Sequence, residues 1–277
     1  MLKNIVCGRF ELGFSRTLIM GVLNITPDSF SDGGLFIDAD KAVARAKQMV
    51  EDGAEIIDVG GESTRPGSDN ISEEDELKRV KPVIEKLVKE INVPISIDTY
   101  KPKVAEECLK SGASLVNDVT GLRNKEMINL IARHNVPVVI MHMKGEPKNM
   151  QKNPVYTDVV KEIKEYFSER INEARDYGID DIIIDPGIGF GKTTEHNLQI
   201  LKRLSEFKDL GFPVLVGPSR KSFIGNITGL PVKERLEGTL AAISIAIING
   251  ANMVRVHDVK ECKRAAQIAD AIRCANG

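Results

Sequence analysis

Two carboxylates, Asp98 and Asp185, each close a short apolar run, in ISID and IIID, and between them in the chain Asn117 closes another, in LVN. Together they offer two carboxylates and an amide, an acceptor set that suits a ligand edge rich in N–H donors, such as an aminopyrimidinone. Either Asp alone reads as readily as a turn or cap residue. A cationic set follows further along. Lys221 lies in VGPSRKSF, and Arg255 and His257 stand two apart in VRVHDV, so on a strand both side chains face the same way. Burying an arginine without an anion is costly, so this spacing predicts an anionic partner or ligand beside it. Lys221 by itself could be a solvated loop lysine, and Arg220 reads as one. His142 reads as readily as a hydrogen-bonded structural histidine as a functional one.

The stretch DPGIGFGKTT, residues 185–194, suggests a phosphate loop and fails the test. The nucleotide pattern G-x-x-x-x-G-K-[ST] needs glycine at 186, where the chain has Pro186. The dinucleotide pattern G-x-G-x-x-G fails because Gly187, Gly189 and Gly191 are evenly spaced. The glycines read instead as a sharp backbone turn next to a ligand, opened by Asp185.

These residues need elements to carry them. Near-continuous apolar runs predict buried parallel strands at Leu18–Asn24, Glu55–Gly60, Ile95–Asp98, Leu115–Asp118, Val138–His142, Ile182–Asp185, Val214–Gly217 and Met253–Val256. Helical patterns separate them. Asp38, Ser72 (with Asp75 three residues on) and Asp258 (with Glu261) stand at helix starts, and Gly53, Gly112 and Gly178 at helix ends. Pro82, inside the pattern over Glu73–Lys89, predicts a kink or a break. Eight strand–helix units without a linker point to an α/β fold, a (β/α)8 TIM barrel of eight parallel strands spanning 1–277 as one domain. The segment CGRFELGF before Leu18 predicts a small hairpin closing the barrel bottom.

That fold gives the polar residues a common address. Asn24, Glu62, Thr64, Arg65, Asp98, Asn117, His142, Asp185, Lys221, Arg255 and His257 fall at or just past strand C-termini, the ends that converge on one mouth in such barrels. The loops NITPDSFSDGG and GGESTRPGSDN read as surface segments or as lids over that mouth. The side-chain oxygen of Asn24 is a suitable hard ligand for Mg²⁺.

Composition narrows the partners. The chain has 277 residues, 42% hydrophobic and 28% charged, with a formal charge of −2. Such a balance exerts no long-range pull on nucleic acid or an anionic membrane surface, so an anionic substrate must be held by local cations. The longest apolar run, Leu240–Ile248 broken by Ser244, falls short of the roughly 20 residues that span a bilayer. The N-terminus has no continuous apolar stretch, and a secretory signal is not expected. Four scattered cysteines and four histidines, without C-x-x-C or H-E-x-x-H, predict reduced thiols in the cytoplasm and no zinc site. The helix over Glu237–Asn249, apolar nearly all round, predicts burial on several sides, by neighbouring helices or by a second subunit.

Taken in order, IMGVLNITPDSFSDGG, GGESTRPG, ISIDT, NDVTG, MHMKGEPKNMQ, IIIDPGIGFGK, GPSRKSFIG and VRVHDV resemble the dihydropteroate synthase family, the sulfonamide target of folate biosynthesis, along the whole chain. The resemblance implies condensation of (7,8-dihydropterin-6-yl)methyl diphosphate with 4-aminobenzoate, giving 7,8-dihydropteroate and diphosphate. It implies a pterin held by Asp98, Asn117, Asp185 and Lys221 between Met141 and Phe190. Diphosphate would be gripped by Asn24 with Mg²⁺, Thr64, Arg65, Arg255 and His257. The aminobenzoate would lie near Arg65, Pro66, Lys221 and Ser222, with Asp32 on the first loop. Lys221, Arg255, His257 and Asp32 are the expected catalytic groups, and the assembly a homodimer. Two rivals share the barrel: a pterin-dependent methyltransferase, which has no use for STRPG and RVH, and a non-catalytic pterin-binding paralogue.

Overall fold

The computed structural model describes residues 2–26, 39–63, 70–145 and 149–275. The expected lid residues Asp32, Thr64, Arg65 and Pro66, and the expected cap Asp38, lie outside them.

The chain begins with an antiparallel hairpin, β1 (Ile5–Cys7) and β2 (Phe10–Leu12), with Cys7 opposite Phe10. Parallel strands follow: β3 (Leu18–Asn24), β4 (Ile56–Gly60), β5 (Ile95–Asp98), β6 (Leu115–Asp118), β7 (Val138–Met141), β8 (Ile182–Asp185), β9 (Leu215–Val216) and β10 (Met253–Val256). Their order, β8-β7-β6-β5-β4-β3-β10-β9, becomes a ring through the bridge between Ile184 and Val214. The helices are α1 (Ala39–Glu51), α2 (Glu73–Glu90), α3 (Pro102–Lys110), α4 (Lys125–His134), α5 (Val159–Asp176), α6 (Thr194–Lys202), α7 (Ser222–Thr228), α8 (Leu236–Ile248) and α9 (Val259–Cys274). The barrel expected from the apolar runs is the observed fold.

Alternation along each strand sorts the side chains into two layers inside the ring. Leu18, Met20, Ile56, Leu115, Val139, Ile183, Leu215 and Met253 pack into one apolar cluster with Ile5, Cys7 and Leu12 of the hairpin, so the bottom is filled and stoppered. Two residues further along, the same faces carry Asp58, Asn117, Met141, Asp185 and Arg255, and Asp98 stands likewise two past the buried Ser96 of β5. The opposite faces join the helices in the main core, with Ile57, Val59, Ile97, Val116, Ile140 and Ile184 all buried. Apolar packing below and outside thus leaves polarity to one end.

Local chemistry largely follows the residues. Ser72 caps α2 by accepting from the Asp75 N–H at 3.1 Å, and Gly53, Gly112 and Gly178 all have positive φ. Of the kink or break expected at Pro82 there is no break, and α2 continues through it. Two expectations change. β9 is shorter than Val214–Gly217 because the Val214 N–H bonds the side chain of Asn252 at 3.0 Å, and flanking Pro213 and Pro218 have no N–H to give a ladder. Asp258 stands at the N-cap of α9 without a side-chain cap bond. Its carboxylate takes two bonds from Arg220, both at 2.7 Å, so Arg220 is anchored rather than solvated.

Candidate active site

The upper layer encloses a cavity lined by Val22, Asp98, Asn117, Val119, Met141, Asp185, Phe190, Gly217, Ser219, Lys221, Arg255 and His257. Five strands and three loops supply the chemistry. Asp98, Asn117 and Asp185 form the acidic and amide floor; Lys221, Arg255 and His257 form a cationic rim; Met141 and Phe190 supply apolar wall. Asn24 ends β3 half-buried and is not part of the lining, and Ser222 is exposed at the start of α7.

The floor is held by specific contacts. Asp185 Oδ1 accepts from the Gly187 N–H at 2.7 Å, so this carboxylate both turns its loop and faces the cavity. Gly187 has φ 69°, and a Cβ there would lie 2.0 Å from the His142 carbonyl oxygen, which restricts the position to glycine. Asp98 Oδ2 accepts from Arg255 Nη2 at 2.6 Å, while Oδ1 is buried without a hydrogen bond. Burial pushes the Asp98 carboxyl up to about 7, against the pull of Arg255 and with the push of Asp58, Glu76 and Asp118. Burial also raises Asp185, opposed by Lys221 and the Gly187 N–H. By contrast Asp118, one residue past Asn117, spends itself on a turn, accepting from Thr120 N at 2.8 Å, Thr120 Oγ1 at 2.7 Å and Leu122 N at 2.9 Å.

The rim cations are constrained differently. Burial lowers Lys221 to about 8, with Asp185 opposing and Arg255 assisting. Its ammonium donates to the Ile188 carbonyl and lies 4.2 Å from the centre of the Phe190 ring. Burial works against the Arg255 cation, but Asp58 and Asp98 more than offset it, and its pKa rises. His257 Nδ1 and the Ser219 hydroxyl lie 3.0 Å apart, which orients the ring.

Three participants escaped the residue-type reading. Asp58, inside β4, is fully buried and holds Arg255 Nε at 2.6 Å and Asn117 Nδ2 at 3.1 Å. Strand parity is the signal that marks it, since it shares a face with Ile56 and Gly60. Ser219 offered only a hydroxyl in a loop. Lys192 is buried and packs its amine against His142 Nδ1 at 3.0 Å, the Phe190 carbonyl at 2.9 Å and the His142 carbonyl at 3.3 Å. His142 is therefore a partner within this buried cluster and not part of the cavity lining. Burial, then the Lys192 charge, lowers it to about 2, and its ring meets Tyr166 edge-on at 4.9 Å.

A second buried charge cluster flanks the mouth. Lys101 donates to Glu62 at 2.5 Å, Glu76 at 2.7 Å and the Ile71 carbonyl at 2.8 Å. Glu62, named above among the strand-end residues, thus serves this anchor and is not part of the cavity lining.

Comparison with known proteins settles what kind of barrel this is. The model of the pterin binding enzyme family matches residues 20–257. A dihydropteroate synthase of Clostridium beijerinckii is 50% identical over 267 residues, covering 95% of this chain and 96% of its own. The chain belongs to the dihydropteroate synthase family. Solved structures of the family superpose closely. One is dihydropteroate synthase from Yersinia pestis in complex with a sulfonamide drug, with TM-score 0.94 and 43% identity, covering 99% of this chain and 100% of that one. Another is dihydropteroate synthase from Xanthomonas albilineans in complex with 7,8-dihydropteroate, with TM-score 0.89 and 39% identity, again covering 99% and 100%. Among the described residues no helix is long and apolar enough to cross a membrane.

Proposed function

We propose that this mouth condenses (7,8-dihydropterin-6-yl)methyl diphosphate with 4-aminobenzoate to give 7,8-dihydropteroate and diphosphate. The observation that carries the reading is the meeting of an acceptor floor with a cationic rim in one cavity above a filled barrel. The amino and ring N–H groups of the pterin pair with Asp98, Asn117 and Asp185, and its faces rest between Met141 and Phe190. Lys221 joins the pterin contacts, and Arg255 and His257 face the diphosphate, whose negative charge grows as the methylene C–O bond breaks. The cation left on the pterinylmethyl carbon is delocalised into the ring and is stabilised by the carboxylates beneath it. The aniline nitrogen of 4-aminobenzoate then forms the C–N bond and gives up one proton to solvent. No covalent enzyme intermediate is needed. Thr64, Arg65, Pro66, Ser222 and Asp32 are assigned to the diphosphate and aminobenzoate ends by resemblance alone.

Mg²⁺ fits the donor chemistry without a protein cage. Among the described residues no cluster of three His, Cys, Asp or Glu side chains could hold a metal. Asn24 offers one hard oxygen at the mouth, as expected for an ion bound mainly through water and diphosphate. When bound, the ion would neutralise leaving-group charge. The free thiols of Cys7, Cys108, Cys262 and Cys274 support a reducing, cytoplasmic setting. Exposed Ile245 and Ile248 on α8, beside exposed Ile268 and Ile272 on α9, support a homodimer closed over that face. Sedimentation at low concentration tests this, and a monomer at micromolar protein would refute it.

Diphosphate release tests the reaction itself. It should depend strictly on added 4-aminobenzoate and yield one dihydropteroate per diphosphate. Release without the amine, or methyl transfer to a corrinoid, would overturn the assignment.

A further inference from the structure

We infer that Asp58 is a positioning residue that fixes which atoms Asn117 and Arg255 present to the cavity. The inference rests on the placement of pterin and diphosphate proposed above. Asp58 does not line the cavity, so it acts only through its neighbours. Its Oδ2 accepts from Asn117 Nδ2 at 3.1 Å and from Arg255 Nε at 2.6 Å, and its Oδ1 is buried without a partner.

The chemistry of a carboxylate makes this contact directional. An ionised carboxylate can only accept, whereas an amide can donate or accept depending on which way it is turned. Asp58 therefore holds the NH₂ of Asn117 toward itself, and the amide oxygen is what remains for a ligand. Asp98 Oδ1 is likewise without a hydrogen bond. The floor consequently presents acceptors from Asp98, Asn117 and Asp185, and selects a ligand edge made of N–H donors. A carbonyl at the pterin 2-position would face these oxygens unpaired.

The same carboxylate orients the cation. Arg255 gives Nε to Asp58 and Nη2 to Asp98, leaving Nη1 without a hydrogen bond among the described residues. With two of its nitrogens fixed, the planar guanidinium has its third pointing in a set direction. One buried oxygen thereby couples the pterin floor to the anion rim.

The test is a specificity ratio, because a merely supportive residue would weaken all ligands together. Calorimetry on Asp58→Asn would compare 6-hydroxymethylpterin, its 2-oxo counterpart, and inorganic pyrophosphate. An asparagine at 58 can donate as well as accept, so the Asn117 amide is free to turn over. The preference for the 2-amino over the 2-oxo compound should fall roughly tenfold, with pyrophosphate weakening by about the same factor. An unchanged preference overturns the inference. Asp185→Asn in the same assay guards the underlying reading: if it leaves 6-hydroxymethylpterin binding unaltered, the pterin placement itself fails. Should Asp58→Asn not fold, nitrogen-15 spectra of the wild-type protein decide. The Arg255 Nε–H should exchange slowly and stay protected when pyrophosphate binds; loss of protection on binding overturns the inference.

Discussion

Two cations stand at this mouth, each between two carboxylates, and they end differently. Lys101 places its ammonium among Glu62, Glu76 and the Ile71 carbonyl, using all three donors. Neither glutamate keeps a buried oxygen without a partner. Arg255 binds Asp58 and Asp98, yet each of those carboxylates keeps one orphaned oxygen. Charge is similar in the two places, but Lys101 is buried while Arg255 is partly exposed and lines the cavity, and their hydrogen-bonding capacity differs as well. The Lys101 cluster is closed and ties residue 62, after β4, to residue 71, before α2. The Arg255 cluster is open and has capacity left for a ligand. Between these two clusters, unspent donors and acceptors, more than charge, mark the one that faces the cavity.

Removing each cation should therefore fail in a different currency. Arg255→Ala is expected to lower kcat/KM about a thousandfold, roughly 4 kcal/mol of transition-state stabilisation, and to weaken pyrophosphate more than bare pterin. Equal loss for both ligands would merge the two clusters into one category. Lys101→Met should instead lower the unfolding free energy by about 3 kcal/mol in a urea titration, because it strands Glu62 and Glu76. A fully stable Lys101→Met protein would deny the closed cluster its structural role. Asp185→Asn removes one charged acceptor and should weaken 6-hydroxymethylpterin by about 10- to 100-fold in calorimetry, about 1.5–3 kcal/mol.

The smallest effect is a pH dependence. The Asp98 carboxyl titrates at about 7 and the Lys221 ammonium at about 8. A donor-edged ligand needs the Asp98 carboxylate, so pterin affinity should rise with pH through about 7 and decline above about 8 as Lys221 loses its proton, by at most about tenfold per unit. Stability of the free protein runs the other way. Asp98 holds its proton in the folded state up to about 7 but in the unfolded chain only to about 3.8, so its contribution is full below the lower value and is lost as pH rises to the upper. Opposite slopes in binding and unfolding would fix both signs in one protein.

The barrel was legible because buried parallel strands are short, apolar and regularly spaced, and because polar residues gathered at their ends. Asp98, Asn117, Asp185, Lys221, Arg255 and His257 stood out as strand-end or loop residues whose chemistry clashed with their apolar context, and the fold brings them to one cavity. Asp58 was hidden inside IIDVG, where a single acid reads as an interruption until strand parity places it on the inner face. Lys192 was hidden for the opposite reason, since a lysine after glycines reads as solvated and only the close approach of the His142 and Phe190 carbonyls shows it buried. Arg220 was misread because a loop cation looked self-sufficient, while its partnership with Asp258 spans 38 residues of chain. Contacts between sequence-distant polar groups leave no periodic trace.

The hairpin stopper at the base of the barrel has a consequence for traffic. A tube plugged with isoleucine, leucine and methionine at one end admits and discharges everything through the other. Whatever lodges deepest cannot enter or exit past an occupant nearer the opening, so under the proposed reaction the pterin has to arrive before the aminobenzoate and depart joined to it.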